Sequence, residues 1–313
     1  MVSSSARDRL ASGVPAVSAG HWRSLLFCPA DQPHRIAKAI AARPGGVIVD
    51  LEDAVHPSRR ERARQDAVQA LSAAADPGVS HLIRVNRAGS RDLAEDLAVV
   101  VGPWLDAVVL PKVSGPDEVA EVAERLRAAE QAGGLAAESV GIVPVIEDCA
   151  ALLHVEQIAR ASRSVVAMSF AGAEAGDFMA DLGGRWTPDG LALLYPKSRF
   201  LCDVRAAGDL PAVDGPSMNL RDPGVWESEC SLARTLGFDG KVAIHPKQLD
   251  VIHRAFTPTA AEIEDARRLL AMLDDAAAGA RGVSSDGGRM IDSANGRAAR
   301  RLLRRAGVPA AGT

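Results

Sequence analysis

The feature that most narrows what this chain can fold into is an alternation of short apolar runs with helix-forming stretches. SLLFCPA (24–30) precedes PHRIAKAIAA, and VIVDL (47–51) precedes SRRERARQDAVQALSAAA. HLIRVN (81–86), AVVLPKV (107–113), VGIVPVIE (140–147) and SVVAMSF (164–170) are each followed in the same way. AVDGP (212–216) is a poor seventh run, and KVAIHP (241–246) is an eighth. The runs are apolar throughout rather than alternating, as parallel strands covered by helices require. Eight strand–helix units in about 235 residues fit an α/β fold of the (β/α)8 TIM-barrel type. A doubly wound open sheet is the alternative. It would more often carry a Gly-rich phosphate turn after its first strand, and FCPADQPHR has no GxGxxG.

The expected organisation is a flexible tail over 1–20, a barrel over 21–256 and a C-terminal helical extension with a lid over 257–313. The tail is rich in Ser, Ala and Gly and lacks the apolar core of a secretion signal. It carries Arg and few acids, so organelle targeting is a second, weaker reading beside a cytoplasmic protein. In the extension, EIEDARRLLAMLDDAAAG reads as a helix with apolar positions Ile263, Leu269, Leu270 and Leu273, and NGRAARRLLRRAG as a basic helix. GVSSDGG between them is a hinge of the kind on which lids hang.

Composition excludes several function classes. The net charge of −4 gives no field that favours nucleic acid or an anionic membrane. No apolar run approaches the roughly 18 residues of a membrane span. The cysteines Cys28, Cys149, Cys202 and Cys230 are far apart and form no CxxC, so neither a zinc site nor a disulfide framework is expected. Lysine supplies only 5 of the 36 basic residues, which makes Lys38, Lys112, Lys197, Lys241 and Lys247 less suited to the role of surface filler.

Polar side chains gather where the strands end: Asp50, Glu52 and Asp53 after the second, Arg84 and Asn86 after the third, Lys112 after the fourth. Glu147 and Asp148 follow the fifth, Asp177 lies beyond the sixth, Asp214 follows the seventh and His245 the eighth. In a barrel these ends share one rim, where active sites are built. Glu147 and Asp177 can hold Mg²⁺ if waters and substrate oxygens complete the octahedron; equally, they can be two solvated loop acids. Arg84 at the end of a buried strand needs an anion, either a substrate carboxylate or developing enolate, or a structural partner in Glu52 or Asp53. Asp50, Glu52 and Asp53 are too crowded to be free and ionised together, so some must pair with Arg84 or Lys112 or meet metal-bound water. Glu52 is the one expected to face the pocket, and Asp50 could cap a loop. Asp292 fits a helix cap on local pattern alone.

RSLLFCPAD, VIVDLEDAV, RVN, VVLPKV, PVIED, DFMADLGG, LLYPKSR, GFDGKVAIHPKQ and GRMID resemble, in order, motifs of the HpcH/HpaI aldolase and citrate lyase beta-subunit-like family. The likeness runs from about Arg23 to Asp292. It implies a barrel, with Glu147 and Asp177 as Mg²⁺ carboxylates and Arg84 holding the substrate and the enolate oxygen. It further implies Lys38 near the coenzyme A phosphates and the His245 stretch as the adenine-side wall. GRMID is similar to the lid of malyl-CoA and citramalyl-CoA lyases, where the aspartate, here Asp292, enters a neighbouring subunit's site. The chain departs from the family pattern at Gln32, in the longer GAEAGDF loop, and in MIDSAN, which lacks a frequent proline.

The expected function is therefore a Mg²⁺-dependent carbon–carbon lyase that splits a 3-hydroxyacyl-CoA thioester through a thioester enolate, in a trimer or hexamer. Three other readings stand beside it: a metal-dependent 2-keto-acid aldolase without CoA, a citrate lyase beta subunit using an acyl-carrier-protein thioester, and a silent binding subunit.

Overall fold

A computed structural model describes residues 22–308 apart from 75, 77, 209, 279–283 and 287–288. The expected N-terminal tail and most of the expected hinge lie outside the described residues. The chain divides into two compact units at Ala255/Phe256.

The first unit is built on eight strands: β1 Ser24–Pro29, β2 Gly46–Asp50, β3 Ser80–Arg84, β4 Ala107–Leu110, β5 Gly141–Ile146, β6 Met168–Phe170, β7 Ala212–Asp214 and β8 Gly240–Ala243. Each pairs in parallel with the next, and β8 pairs with β1, closing the barrel. The fold is the expected (β/α)8 barrel. Leu25, Ile48, Leu82, Val109, Val143, Val213 and Val242 fill its interior, each worth roughly 1.5–3 kcal/mol when fully buried. Closure brings strand backbones very near each other. A Cβ on Gly240 would lie 2.1 Å from the Trp22 carbonyl oxygen, so only glycine fits there.

Helices cover the barrel. They are α1 Pro33–Ala41, α2 Arg60–Ala73, α3 Arg91–Val100, α4 Pro116–Ala132, the short α5 Cys149–Leu152 and α6 Val155–Arg160, α7 Asp177–Leu182, α8 Leu191–Ala207, α9 Pro223–Leu236 and α10 Leu249–Phe256. Proline opens α1, α4 and α9, where the missing N–H costs nothing. Between the helices, Arg64 of α2 binds Asp96 of α3 at 2.7 Å, and Asp96 accepts from the backbone and side chain of Asn86. This polar tie runs from the helical shell to the end of β3.

β6 is shorter than the apolar run that predicted it. Val165 makes only an isolated bridge to Ile142. The chain turns there, with Ile142 N–H bonded to the Ser164 carbonyl and Val165 N–H to that of Ser162. Apolarity marked these residues as buried, but the ladder begins only at Met168.

The second unit holds α11 Ala260–Ala278, two short antiparallel strands Ser284–Asp286 and Arg289–Ile291, and α12 Ser293–Ala306. Ala266 and Leu270 of α11 pack with Ala299 and Leu303 of α12, joined by Ile263 and Leu269. Among the described residues no helix is long and apolar enough to cross a membrane.

Candidate active site

Strand register creates the centre of the site. Asp50 and Arg84 are the last residues of β2 and β3, and they stand opposite one another in the ladder. Arg84 Nε and Nη2 each donate to one Asp50 oxygen at 2.7 Å. The guanidinium also lies 4.9 Å over the Phe27 ring. The Asp50 oxygens accept in addition from the Glu52 and Ala54 backbones, at 3.0 and 3.1 Å. Asp50 is thus both a loop cap and the principal partner of Arg84, and the two expected structural partners, Glu52 and Asp53, lie farther from the guanidinium, at 3.3 and 3.9 Å. Burial works against the charge on Arg84, but the hydrogen bonds and charge of Asp50, with Glu52 and Asp53 nearby, hold its pKa above the ordinary value. A cation anchored in this way is preorganised.

The turn capped by Asp50 folds Glu52 inward. Its Oε1 lies 2.7 Å from Lys112 Nζ, and its Oε2 lies 3.3 Å from Arg84 Nη1. Lys112 also reaches Asp53, at 3.3 Å. It does so from a left-handed backbone, φ 53°, unusual for a non-glycine residue. The crowded acids therefore do pair with Arg84 and Lys112.

A cavity of about 530 Å³ opens beside these residues, and Asp50, Asp53, Arg84, Glu147 and Asp177 all line it. Glu52, expected to be the pocket-facing acid, is not among the lining side chains. It is 5% exposed. The physical reason is the inward turn just described, which commits its carboxylate to Lys112.

Glu147 follows the last residue of β5, and Asp177 begins α7 after the Gly-rich loop beyond β6. Glu147 is 6% exposed. Burial pushes its carboxyl up to about 7, and the charges of Glu52 and Asp177 push the same way against Arg84 and Lys112. Burial also raises Glu52 above the ordinary carboxylate range. Its Oε2 is buried without a hydrogen bond of good geometry. Carboxylates held so near one another favour either a proton or a cation between them. Among the described residues, no group of three or more Asp, Glu, His or Cys side chains is arranged to hold a metal. What the site offers is a pair of oxygen ligands, the set that suits Mg²⁺ with its waters and substrate oxygens. By this test the residues present fit a magnesium ion.

Lys38 and His245 are not among the residues that line the cavity. Lys38 is exposed on α1. His245 caps a 3₁₀ turn at Pro246–Gln248, its Nδ1 accepting from Lys247 N–H at 3.1 Å. In the second unit, Asp292 caps α12. Its Oδ1 accepts from the Ala294 and Asn295 backbones at 2.9 and 3.3 Å, and the Asn295 side chain answers from the Asp292 N–H.

The sequence reading also missed a buried ion cluster beside the site. Asp214, at the end of β7, is 0% exposed and has Lys197 Nζ and Lys241 Nζ each 2.8 Å away. Lys241 also donates to the Gly215 carbonyl at 2.7 Å. Gly215 lines the cavity, so the cluster pins one of its walls. The scarcity of lysine was the available signal: two of the five lysines are buried here, and Lys112 is ion-paired in the site itself.

The chain is similar to known proteins in sequence and in fold. The profile of the HpcH/HpaI aldolase/citrate lyase family matches residues 23–246. The citrate lyase subunit beta of Haemophilus influenzae is 31% identical over 271 residues, covering 87% of this chain and 92% of that protein. The L-malyl-CoA/beta-methylmalyl-CoA lyase of Cereibacter sphaeroides is 32% identical over 314 residues, covering 93% and 96%. Among solved structures, CitE from Mycobacterium tuberculosis in complex with magnesium, acetoacetate and coenzyme A superposes with a TM-score of 0.69 at 31% identity, covering 91% of this chain and 98% of that one.

Proposed function

The chain belongs to the HpcH/HpaI aldolase/citrate lyase family, and from that premise we propose that it is a Mg²⁺-dependent carbon–carbon lyase. Its substrate is a 3-hydroxyacyl-CoA thioester with a carboxylate beside the hydroxyl, and its products are an acyl-CoA and a 2-oxo acid. One observation carries the reading: Glu147, Asp177 and Arg84 line a single cavity at the strand ends. The names of the relatives support it. They include citrate lyase beta subunits and a malyl-CoA/methylmalyl-CoA lyase. A structural relative was crystallised with magnesium and coenzyme A.

In the reaction, the bond between the hydroxyl-bearing carbon and its neighbour breaks. The bonding pair passes to the thioester as an enolate. The hydroxyl oxygen loses its proton and becomes the carbonyl of the oxo acid, and the enolate carbon takes up a proton. Glu147 and Asp177 would hold Mg²⁺, whose charge, when bound, acidifies the hydroxyl and stabilises the new carbonyl. Arg84 would neutralise the enolate oxygen. Asp50 and Glu52 keep the guanidinium in place for that task; Glu52 acts here through Arg84 and Lys112. The family resemblance gives Asp292 the role of protonating the enolate carbon, from a neighbouring copy in a trimer or hexamer. It also gives Lys38 and the His245 stretch the coenzyme A handle.

The test is a cleavage assay on malyl-, citramalyl-, methylmalyl- and citryl-CoA, run with Mg²⁺ and with EDTA. Cleavage of at least one free thioester with Mg²⁺, abolished by EDTA, is expected. Activity only on free 2-oxo acids, with no binding of coenzyme A, would replace this reading with the aldolase one. Activity only on a carrier-protein thioester would replace it with that of a citrate lyase subunit.

A further inference from the structure

The two proposed metal ligands are held differently. Glu147 follows β5 directly, whereas Asp177 comes after the loop 171–176 that separates β6 from α7. Five of those loop residues are Ala or Gly, so their side chains do little to fix it. Two contacts from outside the loop supply what it lacks. The first runs through backbone. Phe170 and Asp214 are partners at the ends of β6 and β7, and Gly215 comes next. A Cβ on Gly215 would lie 2.9 Å from the Phe170 carbonyl oxygen and 3.1 Å from the Gly172 nitrogen, so its backbone is seated against the start of the loop. Lys241 holds it there by donating to the Gly215 carbonyl at 2.7 Å. The second runs through rings. Phe178, next to Asp177, lies 4.8 Å from Phe170; Phe170 lies 5.5 Å from Phe200, and Phe200 lies 5.8 Å from Phe238. All four are fully buried. Lys197 Nζ closes the row, 5.8 Å from the centre of the Phe238 ring.

Both contacts end on one carboxylate. Asp214 has Lys241 Nζ and Lys197 Nζ each 2.8 Å away, and Glu229 stands 3.4 Å from Lys241. An ion cluster buried this deeply gains little stability over apolar residues of the same volume. What it does fix is direction, because Lys241 must meet Asp214 and the Gly215 carbonyl together. We infer that Asp214, Lys197 and Lys241 are positioning residues for Asp177. They brace its loop through Gly215 on one side and through the phenylalanine row on the other, and so set the affinity for the divalent ion. The inference rests on the proposed magnesium site and adds residues that touch neither metal nor substrate. A ligand already in place is not ordered anew when the ion binds. Loss of a group that orients a metal ligand typically lowers metal affinity roughly 10–100-fold.

The experiment compares Mn²⁺ dissociation constants, read by electron paramagnetic resonance on the metal-stripped full chain, for the wild type, Lys197→Met, Gly215→Ala and Phe200→Leu. Leu71→Ala is the control: it empties a buried position of α2 that does not line the cavity. Circular dichroism confirms that each protein is folded under the conditions of the titration. A cluster that only stabilised the fold would leave the affinity of the folded protein unchanged. Lys197→Met, Gly215→Ala and Phe200→Leu should instead each weaken Mn²⁺ roughly 10–100-fold, while Leu71→Ala binds as the wild type does. Should Gly215→Ala not fold, Lys197→Met and Phe200→Leu decide the matter. If the folded variants bind Mn²⁺ as tightly as the wild type, or if Leu71→Ala weakens it as much as they do, the inference is overturned while the metal site stands. If the wild type binds no Mn²⁺, the proposed metal site falls and takes this inference with it.

Discussion

Glu147→Gln should make the metal-free protein more stable while abolishing its metal site. The substitution keeps the shape of the side chain and removes one charge from a buried acidic cluster. In the folded chain burial pushes the carboxyl up to about 7 from an ordinary value of 4.5, and the charges of Glu52 and Asp177 push the same way. A folded pKa above the unfolded one means that the folded state binds the extra proton. This group therefore costs nothing below the unfolded value, costs progressively more as the pH rises, and reaches its full penalty above about 7. At roughly 1.4 kcal/mol per pH unit, the penalty is about 3 kcal/mol. Glutamine has no such titration. Unfolding in EDTA from pH 5 to 8 should show the wild type losing about 2–3 kcal/mol relative to Glu147→Gln. Magnesium at a hundredfold excess over its Kd should then return about 2.7 kcal/mol to the wild type and nothing to the variant. If both proteins follow the same stability curve in EDTA, the electrostatic reasoning is wrong.

Other consequences follow from the same geometry. Arg84→Lys keeps a charge but loses the bidentate grip on Asp50, so kcat should fall about a hundredfold or more with a smaller change in KM. Arg84→Ala should also destabilise the fold by about 3–5 kcal/mol, because Asp50 is left buried and unpaired; denaturant titration measures this. Asp292→Asn preserves a good helix cap, so it should leave stability within a few tenths of a kcal/mol while lowering activity at least about a hundredfold. Asp292→Ala should add about 1 kcal/mol of lost stability. Asp214→Ala strands two buried lysines and should cost about 3–5 kcal/mol in a denaturant titration, whether or not substrate is present.

The barrel was legible because its strands are apolar on both faces, and the rim because the polar residues recur at strand ends. What sequence could not convey was register. Asp50 and Arg84 are 34 positions apart and meet only because β2 and β3 pair with their last residues opposed. Nor could it convey the sense of a turn: three acids in DLEDAV looked alike, and the Asp50 cap alone sends Glu52 inward to Lys112 and leaves Asp53 on the cavity wall. Asp214, Lys197 and Lys241 come from β7, α8 and β8, and composition hinted that the lysines were special without saying to what they bind. The Asp292 cap was readable because capping is local, within three residues.

The proposed activity requires one divalent ion held by Glu147 and Asp177 opposite Arg84. Titration of the metal-stripped protein with Mn²⁺, followed by electron paramagnetic resonance, tests this most directly. The wild type should bind one ion per chain, displaced by Mg²⁺, and Glu147→Gln and Asp177→Asn should each lose that site. Undiminished binding in both variants would contradict the account.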